Sequence, residues 1–171
     1  MTERETIKHF IASAEEFCSL IECRQLLAGL PLLRECAPRL ACLYSAALSL
    51  SLFPAETDSD NLIEDVFSFD QSQALFRELG EKLGMVRWYW EVFDPYEESA
   101  PGIGDLADDM GDIYRELKNG LFAFTKGPAN EAIWHWQNGF RSHWGDHVVD
   151  ALRAMHRIVS TSLFDNLYCT D

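Results

Sequence analysis

From Leu106 to Leu121 the chain reads LADDMGDIYRELKNGL. Leu106, Met110, Ile113, Leu117 and Leu121 recur at steps of three and four, which is the spacing of one face of an α-helix. Asp105, Asp109, Asp112 and Glu116 form a second stripe, confined to a narrow arc at 100° per residue. The pattern predicts an amphipathic helix from about Leu106 to Phe124 that carries a row of carboxylates beside its apolar face. Asp105 follows Gly104 and reads as the N-cap, with Asp108 at N3, where the helix dipole stabilises acids. Asp109 and Asp112 have no such local reason. Like charges at i,i+4 cost a helix roughly a few tenths of a kcal/mol each, so something should offset them.

Downstream, Lys126-Gly127-Pro128 reads as a turn, and a long helix is predicted from about Ala129 to Ser162. Trp136, Phe140, Trp144, Val148, Ala151, Leu152, Met155 and Val159 supply its apolar residues. His143, His147 and Asp150 stand at i, i+4 and i+7, and H-x-x-x-H puts two imidazoles on one face. Asp112 lies 15 residues before Gly127 and His143 lies 16 after it; Asp109 lies 18 before and His147 lies 20 after. At about 1.5 Å of rise per residue these groups fall at nearly the same height across a helical hairpin. Asp109, Asp112, His143 and His147 at one level are therefore a ligand set able to hold a divalent metal. The competing expectation is a polar network that fastens the helices, with Arg115, Arg141 and Arg153 available to neutralise the acids.

Upstream, three more helical periods are visible. The first opens on Thr2 and Glu5, an S/T-x-x-E capping box. The second covers Pro31 to Leu52, with Pro38 expected to force a kink or restart. The third starts at Asp70, with Gln73 three residues on, and stops at Gly84. Between Phe53 and Asp70 lies an acid-rich stretch, expected to be a solvated loop with one helical turn near Leu62 to Phe67. Met85 to Phe93, MVRWYWEVF, favours strand but has no visible partner, so an extended segment packed on helices is expected, followed by a loop through Gly104. The predicted fold is all-α: a single domain over 1–171, an up-and-down bundle of four to five helices with one extended aromatic segment. The aromatic residues Trp88, Tyr89, Trp90, Phe93, Trp134, Trp136 and Trp144 either build core or line a ligand pocket. Trp90, Tyr114, Trp136 and Trp144 are the expected lining in the second case.

The 171 residues carry 14 Lys+Arg against 28 Asp+Glu, a formal charge of −14, and are 47% hydrophobic. That apolar content excludes a disordered chain, and the negative charge excludes a nucleic-acid binder of the usual basic kind. The longest uncharged stretch, Leu40 to Ala55, is too short and too serine-rich to span a bilayer. No basic segment followed by an apolar one opens the chain, so a cytoplasmic location without membrane association is expected. Cys18, Cys23, Cys36, Cys42 and Cys169 contain no C-x-x-C pair, and reduced core thiols are expected.

Three segments, WYWEVFDP (Trp88 to Pro95), LADDMGDIYRELKNGL (Leu106 to Leu121) and HWGDHVVDALRAMH (His143 to His156), resemble a bacterial family of uncharacterised, all-helical proteins filed as a domain of unknown function. The resemblance implies no activity. Its pattern includes residues matching Asp108, Asp109, Asp112, Tyr114, His143, Trp144 and His147, and departs at Asp105. The expected function is a non-enzymatic module that binds a small molecule or a protein partner. The alternative is a metal-dependent enzyme acting on phosphate esters, by analogy with all-α nucleotide pyrophosphohydrolases. Glu78 and Glu81 match the E-x-x-E of those enzymes, and Glu91 and Asp94 their E-x-x-D, though the second pair lies in the extended run.

Overall fold

α1 (Glu3–Glu22) begins at the predicted cap: the Glu5 N–H donates to Thr2 Oγ1 at 3.3 Å, and the Thr2 N–H donates to Glu5 Oε2 at 2.7 Å. The computed structural model describes residues 1–23, 27–55, 57, 63, 65–127 and 129–161. α2 (Gly29–Leu50) runs through Pro38 as one continuous helix, without the expected restart. The proline removes one N–H from the ladder, and packing of Leu33, Cys36, Leu40, Leu43 and Ala47 against α1 and α6 offsets that loss. α3 (Phe69–Leu83) is capped by Ser68 with Gln71, two residues before the pair read from the sequence, and ends at Gly84 with φ +56°.

After a 3-10 turn at Gly84–Val86 comes the first correction. The aromatic run is not a lone extended segment. β1 (Trp88–Glu91) pairs antiparallel with β2 (Gly102–Asp105), in the register Trp88↔Asp105 to Glu91↔Gly102. Two glycines permit this, because a Cβ on Gly104 would lie 2.3 Å from Tyr89 Cζ and one on Gly102 would lie 2.3 Å from Phe93 Cε2. The rings cover glycine positions on the strand opposite.

α4 (Leu106–Lys126) is the central helix and packs against α1, α3, α5 and α6. The second correction concerns the long final helix, which is two helices. α5 (Ala129–Ser142) and α6 (Trp144–Val159) are separated by His143, which leaves helical dihedrals at φ −155° and ψ −87°. At this corner the chain folds onto itself so closely that a Cβ on Gly145 would lie 2.1 Å from the Phe140 carbonyl oxygen. A backbone atom cannot yield as a side chain can. Gly145→Ala should therefore lower stability by about 1–3 kcal/mol, measured by urea unfolding.

The fold among the described residues is thus a bundle of six α-helices with one two-stranded ribbon. No helix among those residues is long and apolar enough to cross a membrane. Trp136 and Trp144, both fully buried, form its aromatic centre with Phe10, whose ring centroid lies 4.9 Å from the first and 6.4 Å from the second. Their indole N–H groups donate to the carbonyls of Leu117 and Trp136. The segment after α2 is pinned as well as solvated. Gln137 Nε2 donates to the carbonyls of Leu50 and Phe53, Gln137 Oε1 accepts from the Ala55 N–H, and Asn119 Oδ1 accepts from the Val66 N–H. The helical turn expected near Leu62 to Phe67 falls partly outside the described residues; Asp65, Val66 and Phe67 are not helical. Cys18, Cys23, Cys36 and Cys42 are free thiols, and burial pushes Cys18 and Cys36 up to about 12. Cys169 and the expected helix end near Ser162 lie outside the described residues.

Candidate metal centre

The ribbon and the start of α4 are locked together by one residue used twice. Asp105 Oδ1 accepts the Ala107 N–H at 2.9 Å, the predicted cap. The same carboxylate takes a bidentate pair from Arg87, at 2.7 Å from Nε and 2.6 Å from Nη2. Such fork geometry fixes orientation as well as charge. It places Tyr89, on the inner face of β1, over α4, where its O–H donates to Asp109 Oδ2 at 2.8 Å.

The carboxylate stripe of α4 meets the histidines of α5 and α6 at successive levels. Asp109 Oδ1 lies 2.8 Å from His147 Nδ1. An ionised Asp109 can only accept, so Nδ1 carries a proton, and in the neutral imidazole Nε2 keeps a bare lone pair. That Nε2 lies 3.8 Å from Asp112 Oδ2. One turn away, His143 Nδ1 lies 3.3 Å from Glu116 Oε1, and its Nε2 lies 3.6 Å from the same Asp112 Oδ2. Each imidazole thus has a carboxylate beside Nδ1, hydrogen-bonded in the case of His147, and both converge through Nε2 on one oxygen. Their rings are edge to face with centroids 4.9 Å apart. One donor atom each from Asp112, His143 and His147 fits within 4.8 Å of the other two. Asp112 is oriented from behind by Arg115, whose Nη1 donates to Oδ1 at 3.1 Å while Nη2 reaches Asp65 at 3.0 Å.

The surroundings are strongly acidic. Burial raises the Asp109 carboxyl, against the lowering effect of its bonds from His147 and Tyr89. Burial and the nearby Asp112 charge raise Asp108. Asp150 is pushed up to about 6 by burial, Glu91 and Asp109. Glu116 moves the other way: burial raises it, but the neighbouring imidazoles of His135 and His143 outweigh that.

The four residues expected to share a level do so, and in the pairs that residue counting gave: Asp109 with His147, and Asp112 with His143. Their roles separate by burial. Asp109, 6% exposed in its side chain, supports His147, while Asp112 at 24% and His143 at 44% reach solvent. His135 was missed. Its Nε2 lies 3.0 Å from Glu116 Oε2, out of line for a hydrogen bond, so neither buried atom has a hydrogen-bond partner. A partial signal was present, since His135 stands eight residues before His143, a little over two turns away and about 80° round a continuous helix.

The aromatic pocket residues are scattered. Trp136 and Trp144 are core, and Trp90 is 68% exposed on the ribbon. Tyr114 is buried, donates to Glu22 at 2.9 Å, and lines a separate cavity of about 350 Å³ with Phe67 and Leu75. Trp90, Trp136 and Trp144 are not among the residues that line that cavity. Glu91 lies on β1 and Asp94 in the turn after it, so the E-x-x-D spacing of the phosphohydrolase analogy has no helix to carry it.

The His147–Asp109 bond raises the imidazole above its usual 6.5, outweighing burial. A raised histidine contributes stability that is complete below about pH 6.5 and is lost as pH rises through the higher folded value. In metal-free protein, His147→Gln should therefore lower the melting temperature most below pH 6.5. The gap from wild type should narrow above that. Melting curves of both proteins from pH 5.5 to 8.5 in chelator measure this.

The profile of a family described as a domain of unknown function, DUF5063, matches residues 2–161. The solved structure of protein BF1032 from Bacteroides fragilis superposes with a TM-score of 0.76 at 23% identity, covering 90% of this chain and 91% of that one. At that identity the likeness speaks for the fold alone. No curated protein matches the chain.

Proposed function

The chain belongs to the DUF5063 family, which brings no activity with it, and from the site geometry we propose that the protein holds one divalent transition-metal ion between α4 and α6. Asp112 Oδ2, His143 Nε2 and His147 Nε2 are the ligands. Asp109 and Glu116 are the outer carboxylates that orient the two imidazoles, and Tyr89 and Arg115 orient the acids. The observation that carries this reading is the convergence of two imidazole Nε2 atoms on Asp112, at 3.6 Å and 3.8 Å. A tetrahedral ion about 2.1 Å from each donor needs donors about 3.4 Å apart, and both imidazole distances to Asp112 lie within a few tenths of an ångström of that. Histidines that bind metals nearly always donate their other N–H to a carboxylate or carbonyl; His147 does so to Asp109, and His143 Nδ1 stands 3.3 Å from Glu116 Oε1. Two imidazoles and one carboxylate favour a zinc-class ion over magnesium or calcium, which prefer all-oxygen sites. Three protein ligands leave a coordination position for water or for a bound small molecule.

Protein stripped with chelator and dialysed against Zn²⁺ should retain one ion per chain by elemental analysis. Asp112→Ala should abolish that retention. Asp109→Asn, which alters only the outer shell, should weaken affinity by about 10–100-fold. A purely structural polar network predicts no stoichiometric metal in any of the three proteins.

A further inference from the structure

The outer face of the ribbon makes none of the contacts described so far. Trp88, Trp90 and Ile103 project from it, 57%, 68% and 62% exposed. Tyr89 and Glu91, at the alternate positions, are turned inward. Large aromatic side chains left in water on one side of a strand pair mark a contact surface. We infer that this face docks a basic, arginine- or lysine-bearing segment of a partner protein.

Charge selects that partner. From Met85 to Pro101 the chain has one base, Arg87, against Glu91, Asp94, Glu97 and Glu98. The last three acids are exposed and follow the aromatic strand directly, with Tyr96, 97% exposed, among them. The two arginines that touch the ribbon are already engaged. Arg87 is held by Asp105, and Arg153 Nη2 donates to the Trp90 carbonyl at 3.0 Å. Arg87 also shows the contact that a partner would repeat, since its guanidinium carbon stands 4.5 Å over the Trp88 ring. Guanidinium on indole is the most favourable cation–π pairing available to a protein, and neighbouring carboxylates add to it. A second copy of this chain is a poor occupant, because each copy carries a formal charge of −14. Anionic lipid and nucleic acid are repelled for the same reason.

The test uses the full chain and a fluorescein-labelled octapeptide of alternating Arg and Gly, with an alternating Glu and Gly octapeptide as control. Fluorescence anisotropy should show saturable binding of the arginine peptide only. The double variant Trp88→Ser, Trp90→Ser should weaken that binding about tenfold or more. The triple variant Asp94→Asn, Glu97→Gln, Glu98→Gln should weaken it and flatten its salt dependence. Both variants alter exposed positions and should keep the wild-type circular dichroism spectrum. The triple variant leaves the aromatic residues untouched, so the test does not depend on the double variant folding. The inference is overturned if the arginine peptide does not bind. It is also overturned if the glutamate peptide binds equally, or if neither variant weakens binding. Concentration-dependent dimerisation of the wild type that the double variant abolishes would equally overturn it, and would assign the face to a second copy.

Discussion

Trp136→Ala should cost about 3–5 kcal/mol of stability, the range for deleting a fully buried indole from a core that cannot collapse around the void. The ring is completely buried between Phe10 and Phe124, at centroid distances of 4.9 Å and 5.9 Å. Its surroundings are shaped to it. A Cβ on Gly120 of α4 would lie 2.0 Å from Trp136 Nε1, so the indole occupies the space that the glycine leaves open. Gly120→Ala should consequently destabilise the same contact from the other side. The two losses should be non-additive in a double-mutant cycle, because with Trp136 removed the extra methyl has room. Urea unfolding reads both. The same substitution should also loosen the proposed metal site, since Trp144, next to His143 in the chain, donates its N–H to the Trp136 carbonyl.

Zinc in excess should raise the stability of the wild type by about 4 kcal/mol once the free ion exceeds its dissociation constant about a thousandfold. For a chain of this length that corresponds to roughly 8–16 °C in melting temperature. The double variant His143→Ala, His147→Ala should lose the whole response, because both neutral donors are gone. If the cluster only fastens helices together, added zinc leaves both melting temperatures unchanged, and the double variant is simply less stable. The pH behaviour of His147 described above is measured without metal and separates the bond to Asp109 from ligation.

Much of this was legible in the chain because it depends on local spacing. The capping box at Thr2, the cap at Asp105 and the amphipathic face of α4 follow from residues within one or two turns of each other. The meeting of Asp109 with His147 and of Asp112 with His143 needed only equal counts about Gly127. What could not be read depends on close approach between parts of the chain that carry no local signal. The corner at His143 contains no proline, and Gly145 is needed there only because the Phe140 carbonyl comes within 2.1 Å of where a Cβ would stand. β2 is Gly-Ile-Gly-Asp, a sequence of poor strand propensity, and it pairs because the Tyr89 and Phe93 rings fill the positions that its glycines leave open. Assigning metal ligands from spacing alone put Asp109 on the same footing as Asp112. Burial separates them: Asp109 is bonded on one oxygen to Tyr89 and on the other to His147, which favours an orienting role for it in the proposed site.

Anomalous diffraction at the zinc edge, from crystals grown or soaked with Zn²⁺, tests the central claim most directly. The expected result is a single strong peak per chain between α4 and α6. It should lie about 2.0–2.2 Å from Asp112 Oδ2, His143 Nε2 and His147 Nε2, with Asp109 and Glu116 still bonded to the two Nδ1 atoms. A map with no peak there, or a peak with the His147 Nδ1–Asp109 bond broken to let Asp109 ligate, would contradict it.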